Sequence, residues 1–296
     1  MDRKNWIAFF AYTALLGGGP VAMRMIYSEM APFWLGCMRY LLGAAVFWGL
    51  VIVNRLRIPS GRALLGPILY GIFGIGIPFI LIGWGLMETT ASMTSVLLAT
   101  VPIMTIFLSA FQCIEALSGR GILGCFITII GTIITVGGVS PTDMSFLHIG
   151  AIILGTFFLA EGGVILKRFP TGSPIMTNAI GVTTGAIVLV PISLLAGESW
   201  RLPALPETWA ALGYLVVFVT VIAFILYLRV LKKWTASGAS YSFVIVPIFT
   251  VIIAAAIAHE QVNLEFIIGS VFVLLGVVIG AISSKKHGIQ AEKKPC

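Results

Sequence analysis

Two charged side chains lie deep inside long apolar stretches of this sequence, where a charge is costly. Arg39 and Glu161 would each cost about 2.5–3.5 kcal/mol at the centre of a membrane-spanning helix, so a charge there indicates a functional role. Glu161 can attract an amine or carry a proton, or its side chain can extend towards Lys167 and Arg168. For Arg39 we favour a structural role, bonding carbonyls at helix ends, over binding a carboxylate of a solute.

Hydroxyl groups and aromatic rings recur at a similar depth, where they could enclose a small amphipathic solute. Serine and threonine hydroxyls in membrane helices also bond their own backbone, which is the alternative for each of them. The predicted substrate-binding residues combine these groups with Glu161 and two positions that interrupt a helix: Tyr12, Gly18, Pro78, Ser95, Thr100, Phe157, Phe158, Glu161, Tyr241 and Ser242.

Glycine and proline residues interrupt four of the apolar stretches. Two interruptions are clusters, Gly17-Gly18-Gly19-Pro20 and the glycines from Gly71 to Gly76 together with Pro78. The other two are single prolines, Pro102 and Pro247. Backbone groups freed from helical hydrogen bonds are tolerated at membrane depth only inside the protein or beside a cavity. Close packing with harmless kinks is the alternative, but the recurrence of the breaks favours hinges at Pro20, Pro102 and Pro247.

The chain repeats itself at a constant offset of 145 residues. Thr90-Ala91-Ser92 recurs as Thr235-Ala236-Ser237, and the offset also relates Pro102 to Pro247, Thr105 to Thr250, Glu115 to Glu260, Gly124 to Gly269 and Gly131 to Gly276. A register kept over so many small, polar and proline positions indicates two structural repeats. Glu115 and Glu260 then lie at symmetry-related helix ends, where we expect each to fix a loop to a helix or to gate one mouth.

Composition places both repeats in a membrane. Of the 296 residues, 59% are hydrophobic and 10% charged, and the mean hydropathy of +1.07 excludes an ordinary soluble globule. Apolar runs long enough for a hydrocarbon core of about 30 Å predict ten helices, near 6–25, 32–53, 63–86, 90–111, 120–139, 147–166, 173–196, 206–228, 235–258 and 264–283.

The predicted fold is an all-α membrane protein in which ten transmembrane helices form two inverted five-helix repeats around a central cavity. The first repeat covers 1–141 and the second 142–284, and a tail follows over 285–296. Because five is odd, the second repeat enters the membrane from the opposite side, as in many secondary transporters.

Basic residues predict the orientation of these helices. Of the 18 lysines and arginines, only Arg24 and Arg201 fall in loops on the side opposite the N-terminus, and all others except Arg39 fall on its own side. Positive residues mark the cytoplasmic side. Both termini are therefore predicted to be cytoplasmic, in a multi-pass protein of the inner membrane.

Other function classes find little support in the sequence. The acidic residues form no close pairs, and His148, His259 and His287 lie at or beyond helix ends, which argues against an enzyme. Without a phosphate-binding loop or a metal-ligand cluster, no cofactor or metal is expected. The net charge of +7 is spread over short loops, so no nucleic-acid partner is expected. No zinc site or disulfide framework is indicated by the spacing of Cys37, Cys113, Cys125 and Cys296.

Several of these residues together form a recognisable pattern, namely Pro32 with Arg39, Thr90-Ala91-Ser92 with Pro102 and Glu115, and Gly124 with Gly131. The pattern resembles the EamA-type drug/metabolite transporter superfamily over nearly the whole chain, although the second half has Gly181 near the place expected for an arginine. The resemblance implies a ten-helix secondary transporter in which helices one to four and six to nine surround a central cavity and the fifth and tenth are peripheral. Bacterial members commonly export amino acids and related metabolites.

The sequence and the resemblance together predict an alternating-access exporter of small metabolites, amino acids including aromatic ones. A nucleotide-sugar or sugar-phosphate exchanger is the alternative within transport, weakened because no lysine lies inside a predicted span to hold a phosphate. A channel-like membrane protein is a further alternative. The expected partners are a small-molecule substrate and membrane lipid, with the chain a monomer or a weak homodimer.

Overall fold

The computed structural model describes residues 3–115, 119–137, 145–169, 172–258 and 263–287. The described residues form helices and no strand, in the order α1 Arg3–Ile26, α2 Pro32–Val53, α3 Arg62–Gly85, α4 Ala91–Phe111, α5 Gly119–Gly137, α6 Phe146–Arg168, α7 Pro174–Leu195, α8 Pro206–Lys233, α9 Ala236–Ala258 and α10 Leu264–His287. The bounds lie close to the predicted ones, except that α8 continues past 228 to Lys233.

Eight of these helices, among the described residues, are long and apolar enough to cross a membrane. The other two, α5 and α10, contain shorter apolar stretches over Ile122–Thr135 and Leu264–Gly276. Apolar side chains on the outside of the bundle are strongly exposed, for example Phe111 at 88% and Ile187 at 65%. An exposed apolar surface of this kind is favourable in contact with lipid and unfavourable in contact with water. The count of ten spans and the repeat boundaries stay predictions, and the boundary after 141 lies outside the described residues.

Helix packing follows the repeat. Three helices pair with their own equivalents: α2 with α7, α4 with α9, and α5 with α10. The remaining contacts come in equivalent pairs, because α1 packs on α8 and α9 just as α6 packs on α3 and α4. Exchanging the two halves therefore leaves the pattern of neighbours unchanged, and the predicted all-α fold of two related halves is confirmed.

Close glycine contacts hold α5 and α10 together. A Cβ on Gly131 would lie 2.5 Å from the backbone nitrogen of Val273 and 2.8 Å from the carbonyl oxygen of Gly269. A Cβ on Gly276 would lie 2.6 Å from the carbonyl oxygen of Gly124. Any side chain at these positions would push the backbones apart, which is why small residues are used where membrane helices approach closely. The two helices pack mainly on each other.

The helix ends define two faces of the bundle. At the N-terminal face, where α1 begins, the ring of Trp6 lies 4.8 Å from that of Trp234 in the turn between α8 and α9. At the opposite face, the Arg24 guanidinium donates to the carbonyl of Leu86, 2.8 Å away, and joins the end of α1 to the end of α3. The cytoplasmic location of the N-terminal face stays a prediction.

Glutamates from distant loops cap two helices at the opposite face. The residues before α2 and α8, Ala31 and Leu205, have no side-chain oxygen to accept the first backbone N–H groups. Glu198 accepts 2.7 Å from the N–H of Trp34 at the start of α2. Glu29 accepts 3.2 Å from the N–H of Leu205 at the start of α8. Negative charge is favourable at a helix N-terminus, so each glutamate fixes one repeat to the other.

One cysteine forms a bond that its spacing along the chain did not indicate. Cys113, just after α4, is in a disulfide bond, whereas Cys37 is buried and free. Such a bond depends on which segments the fold brings together and not on spacing along the chain.

Candidate functional site

Arg39 is buried among four helices with uncharged partners. It is 5% exposed, and its Nε donates to the hydroxyl of Thr220, 2.8 Å away, while Nη1 lies 3.9 Å from Sδ of Met23. The guanidinium carbon lies 5.2 Å and 5.8 Å from the ring centroids of Tyr40 and Phe79. Within the part of the chain that the structure describes, no carboxylate pairs with it. These side-chain contacts differ from the carbonyl bonds expected at helix ends.

Local sequence explains how α8 reaches Arg39. Gly43 follows Arg39 by one helical turn and shares its face of α2. A Cβ on Gly43 would lie 2.9 Å from Cγ2 of Thr220, so the glycine lets α8 approach. Thr220 itself belongs to a π-helical segment over Leu215–Ala223. Such wider turns occur frequently at functional sites.

Equivalent π-helical segments interrupt α3 and α8. The segment in α3 covers Gly71–Gly76, and the offset of 145 residues places its counterpart inside Leu215–Ala223. Regular α-helix resumes at Ile77, with the buried predicted site residue Pro78 in its first turn. Glycine in this segment also permits close packing, since a Cβ on Gly71 would lie 2.5 Å from the carbonyl oxygen of Gly181 in α7.

Two of the three predicted hinge prolines follow a helix break. α1 is interrupted at Gly18, and Pro20 lies in the first turn of the continuation. α4 is interrupted just before Val101, with Pro102 in the same position. Proline suits the first turn of a helix because its missing N–H has no partner there. Pro247 differs, because it lies inside a continuous helix and α9 is interrupted earlier, at Tyr241.

Three predicted site residues meet where α1 contacts α9. The hydroxyl of Tyr12, which is fully buried, donates to the carbonyl of Ala239 over 2.9 Å. The hydroxyl of Ser242 donates to the same carbonyl over 3.2 Å. Beside them, the hydroxyl of Tyr241 is buried and has no hydrogen-bond partner among the described residues. An unpartnered buried hydroxyl is uncommon and can bind a ligand.

A second group lies on α6, which contacts both α4 and α3. The hydroxyl of Thr100 in α4 lies 3.4 Å from that of Thr156, and Phe158 stacks on Phe73 of α3 with the ring centroids 6.0 Å apart. Phe157 packs edge-on against Phe158 and is 38% exposed. By the repeat offset Phe157 is the counterpart of Tyr12, yet one is exposed and the other fully buried.

Two acidic side chains join α4 to other helices. The Gln112 side-chain nitrogen donates to both carboxylate oxygens of the half-buried Glu161, at 2.8 and 2.7 Å, so α6 is held to the end of α4. Glu115 accepts 2.8 Å from the N–H of Ala236 and also bonds the hydroxyl of Ser237. It thus caps α9, which is compatible with the predicted helix-fixing role. Its counterpart Glu260 lies outside the described residues.

The remaining predicted residues stand apart from these groups. The buried hydroxyl of Ser95 donates to the carbonyl of Ser92, and a Cβ on Gly18 would lie 2.5 Å from the hydroxyl of Tyr214. Ser95, Thr100 and Ser242 all bond a carbonyl three residues earlier in their own chain segment, which was the alternative to a binding role. Each keeps lone pairs for a further bond.

Sequence reasoning missed Thr220 and Gln112 as partners of the two intramembrane charges. Both are polar residues in largely apolar segments, and that was the only signal present. Their pairing with Arg39 and Glu161 depends on contacts between helices that lie far apart in the sequence.

Comparison with known proteins agrees with this architecture. A model of the EamA-like transporter family matches residues 4–137 and 146–281, one match in each half of the chain. An uncharacterized transporter of Clostridium kluyveri is 24% identical over 94% of this chain and 92% of its own length. The uncharacterized inner membrane transporter YedA of Escherichia coli is 25% identical over 93% of this chain and 88% of its own. One crystal structure shares the fold with a TM-score of 0.72 at 15% identity, covering 97% of this chain and 99% of the other.

Proposed function

The chain belongs to the EamA-like transporter family, and from this premise we propose that it exports amino acids, including aromatic ones, across the inner membrane by alternating access. Membership of this family makes the chain a multi-pass membrane transporter. The substrate class and the mechanism are our inference from the site.

The proposed substrate class rests on the charge of Arg39, which no acidic side chain neutralises within the described residues. A buried ion without a partner is strongly destabilising, yet the described partners of this guanidinium are a hydroxyl, a thioether and two aromatic rings. A substrate carboxylate would supply the missing charge, and a guanidinium binds a carboxylate with strong, directed hydrogen bonds. The rings of Tyr40 and Phe79 offer apolar surface for an aromatic substrate side chain. The carboxylate-binding role, the less favoured of the two sequence interpretations, is therefore the one we propose.

The remaining predicted site residues complete the proposal. The Tyr241 hydroxyl, which has no partner within the described residues, lies in α9, and the rings of Phe157 and Phe158 lie in α6. Glu161 is a candidate site for the substrate amine or for a coupling proton, since Gln112 leaves lone pairs of its carboxylate free. We keep all three groups as substrate contacts to be tested.

Alternating access is supported by a difference between the two equivalent helix contacts. At α1 with α9, the Tyr12 hydroxyl bonds the Ala239 carbonyl, and Glu115 caps α9 close by. In α6, the equivalent Phe157 has no hydroxyl to form the same bond and is 38% exposed. We infer a state closed at the N-terminal face, which opens when the bonds of Tyr12 and Glu115 break.

Neutralising Glu115 is expected to favour opening at this face. A hydrogen bond to a charged group contributes about 1.5–3 kcal/mol, and the glutamine oxygen can keep a weaker neutral bond, so Glu115→Gln should raise the open population by about tenfold. The measurement is the rate at which a membrane-impermeant maleimide, applied from the N-terminal side, labels a cysteine replacing the buried Ser240. Glu198→Gln is the matched control, because it removes a helix-capping charge at the opposite face. Equal labelling rates in all three proteins would remove Glu115 from the gate.

Counterflow in proteoliposomes tests the proposed function directly. Vesicles loaded with unlabelled L-phenylalanine should accumulate labelled L-phenylalanine saturably, and the amide of the same amino acid, which lacks the carboxylate, should not compete. Competition by the amide equal to that of the acid would contradict recognition through Arg39. Counterflow of a sugar phosphate instead would favour the exchanger, and a flux that does not saturate would favour a channel.

A further inference from the structure

A separate cavity lies at the N-terminal face between the ends of α6, α7 and α8. Its volume is about 190 Å³, well above the roughly 10–15 Å³ that a cavity needs to hold one water molecule. Its apolar walls are formed by Leu166, Phe169, Leu228 and Leu231. None of the residues assigned above to the substrate site lines it.

Two lysines supply positive charge to this cavity. Lys167 comes from the end of α6 and Lys232 from the end of α8, and no acidic residue is among the lining residues. The Lys232 ammonium donates one hydrogen bond to the carbonyl of Gly172 and keeps two further protons. The Lys167 ammonium is half-buried and makes no hydrogen bond within the described residues, although it interacts electrostatically with the carboxylate of Glu115.

A buried hydroxyl without a partner completes the lining. Thr177 of α7 is 1% exposed, and its Oγ1 has no hydrogen-bond partner among the described residues. Buried polar atoms are bonded in the great majority of cases, so an unpartnered one beside a cavity is available to bond a ligand or a water molecule. The hydroxyl can donate to an anion while the two ammonium groups neutralise it.

We propose that this cavity binds the phosphate group of an anionic ligand on the cytoplasmic side. Two ammonium groups and one hydroxyl match a phosphate, which carries its charge on several acceptor oxygens. The leucines and Phe169 provide the apolar surface that a phospholipid would cover, and basic pockets between membrane helices on the cytoplasmic side bind acidic head groups. An acidic phospholipid is the source that the lining fits best. The site does not depend on the proposed transport function.

Native mass spectrometry of the detergent-purified protein tests this site. Titration with phosphatidylglycerol should give a saturable adduct that phosphatidylcholine does not give. Lys167→Gln with Lys232→Gln should weaken the adduct at least tenfold, and Thr177→Val alone should weaken it severalfold. The matched control is Arg168→Gln with Arg229→Gln, which removes two charges from the same helices at positions outside the cavity and should leave the adduct unchanged.

The outcomes separate the sources of the phosphate group. Displacement of the lipid by inorganic phosphate at a similar concentration would support the site and assign it to a free phosphate compound. Equal weakening by the two double variants, with no effect of Thr177→Val, would show attraction by surface charge alone and overturn the proposal. If the lysine double variant does not fold, as judged by size-exclusion chromatography, the threonine variant alone decides.

Discussion

Replacing Arg39 with methionine is expected to abolish most carboxylate transport while preserving the fold. A charge-assisted hydrogen bond contributes about 1.5–3 kcal/mol, so the ratio Vmax/KM for L-phenylalanine should fall by about 10- to 100-fold in proteoliposomes. Stability should stay equal or rise, because replacing a buried charge by an apolar residue of similar volume is often stabilising. The measurement is therefore transport kinetics together with the melting temperature of the same preparation.

Arg24 provides the matched control for this experiment. Its guanidinium bonds the carbonyl of Leu86 and joins α1 to α3, which is a structural contact. Arg24→Met should lower the melting temperature and leave the KM of the remaining activity unchanged. If Arg39→Met behaves in the same way, with a lower melting temperature and an unchanged KM, the arginine is structural and the carboxylate site is refuted.

Adding one methyl group at Gly162 is expected to destabilise the protein strongly. A Cβ there would lie 2.3 Å from Cα and 3.0 Å from the nitrogen of Gly74. Both atoms belong to the backbone of α3, so no side chain can move aside and the two helices must separate. Overpacking of this kind costs about 1–3 kcal/mol or more, and Gly162→Ala should lower the melting temperature by roughly 2–4 °C for each kcal/mol.

Gly150 lies in the same helix and is the control for this effect. A Cβ on Gly150 would meet nothing within 4 Å. Because alanine favours a helix over glycine by about 1 kcal/mol, Gly150→Ala should leave the melting temperature unchanged or raise it slightly. Equal melting temperatures of the two variants would show that α3 and α6 are not held together by this glycine contact.

The architecture was predictable because its signals are local or periodic. Apolar run length located the helices, and the offset of 145 residues related the two halves before any contact was known. Proline marked the breaks at Pro20 and Pro102, since a missing N–H acts within a single turn. Pro247 shows the limit of this signal, because the same residue type lies inside a continuous helix with the interruption one to two turns earlier.

The types of residue in the site could be predicted from the sequence, but the contacts between them could not. Arg39 and Glu161 stood out from the sequence, because a charge in an apolar run is rare. The sequence by itself also determined that Tyr12 and Phe157 occupy equivalent positions, 145 residues apart. Only the tertiary structure decided that Tyr12 is buried against α9 while Phe157 is exposed, and that Arg39 meets Thr220. The physical reason is that burial and pairing depend on which helices approach each other. Small residues such as Gly43 and Gly162 permit this approach. In the sequence they cannot be distinguished from a glycine such as Gly150, which has open space beside it.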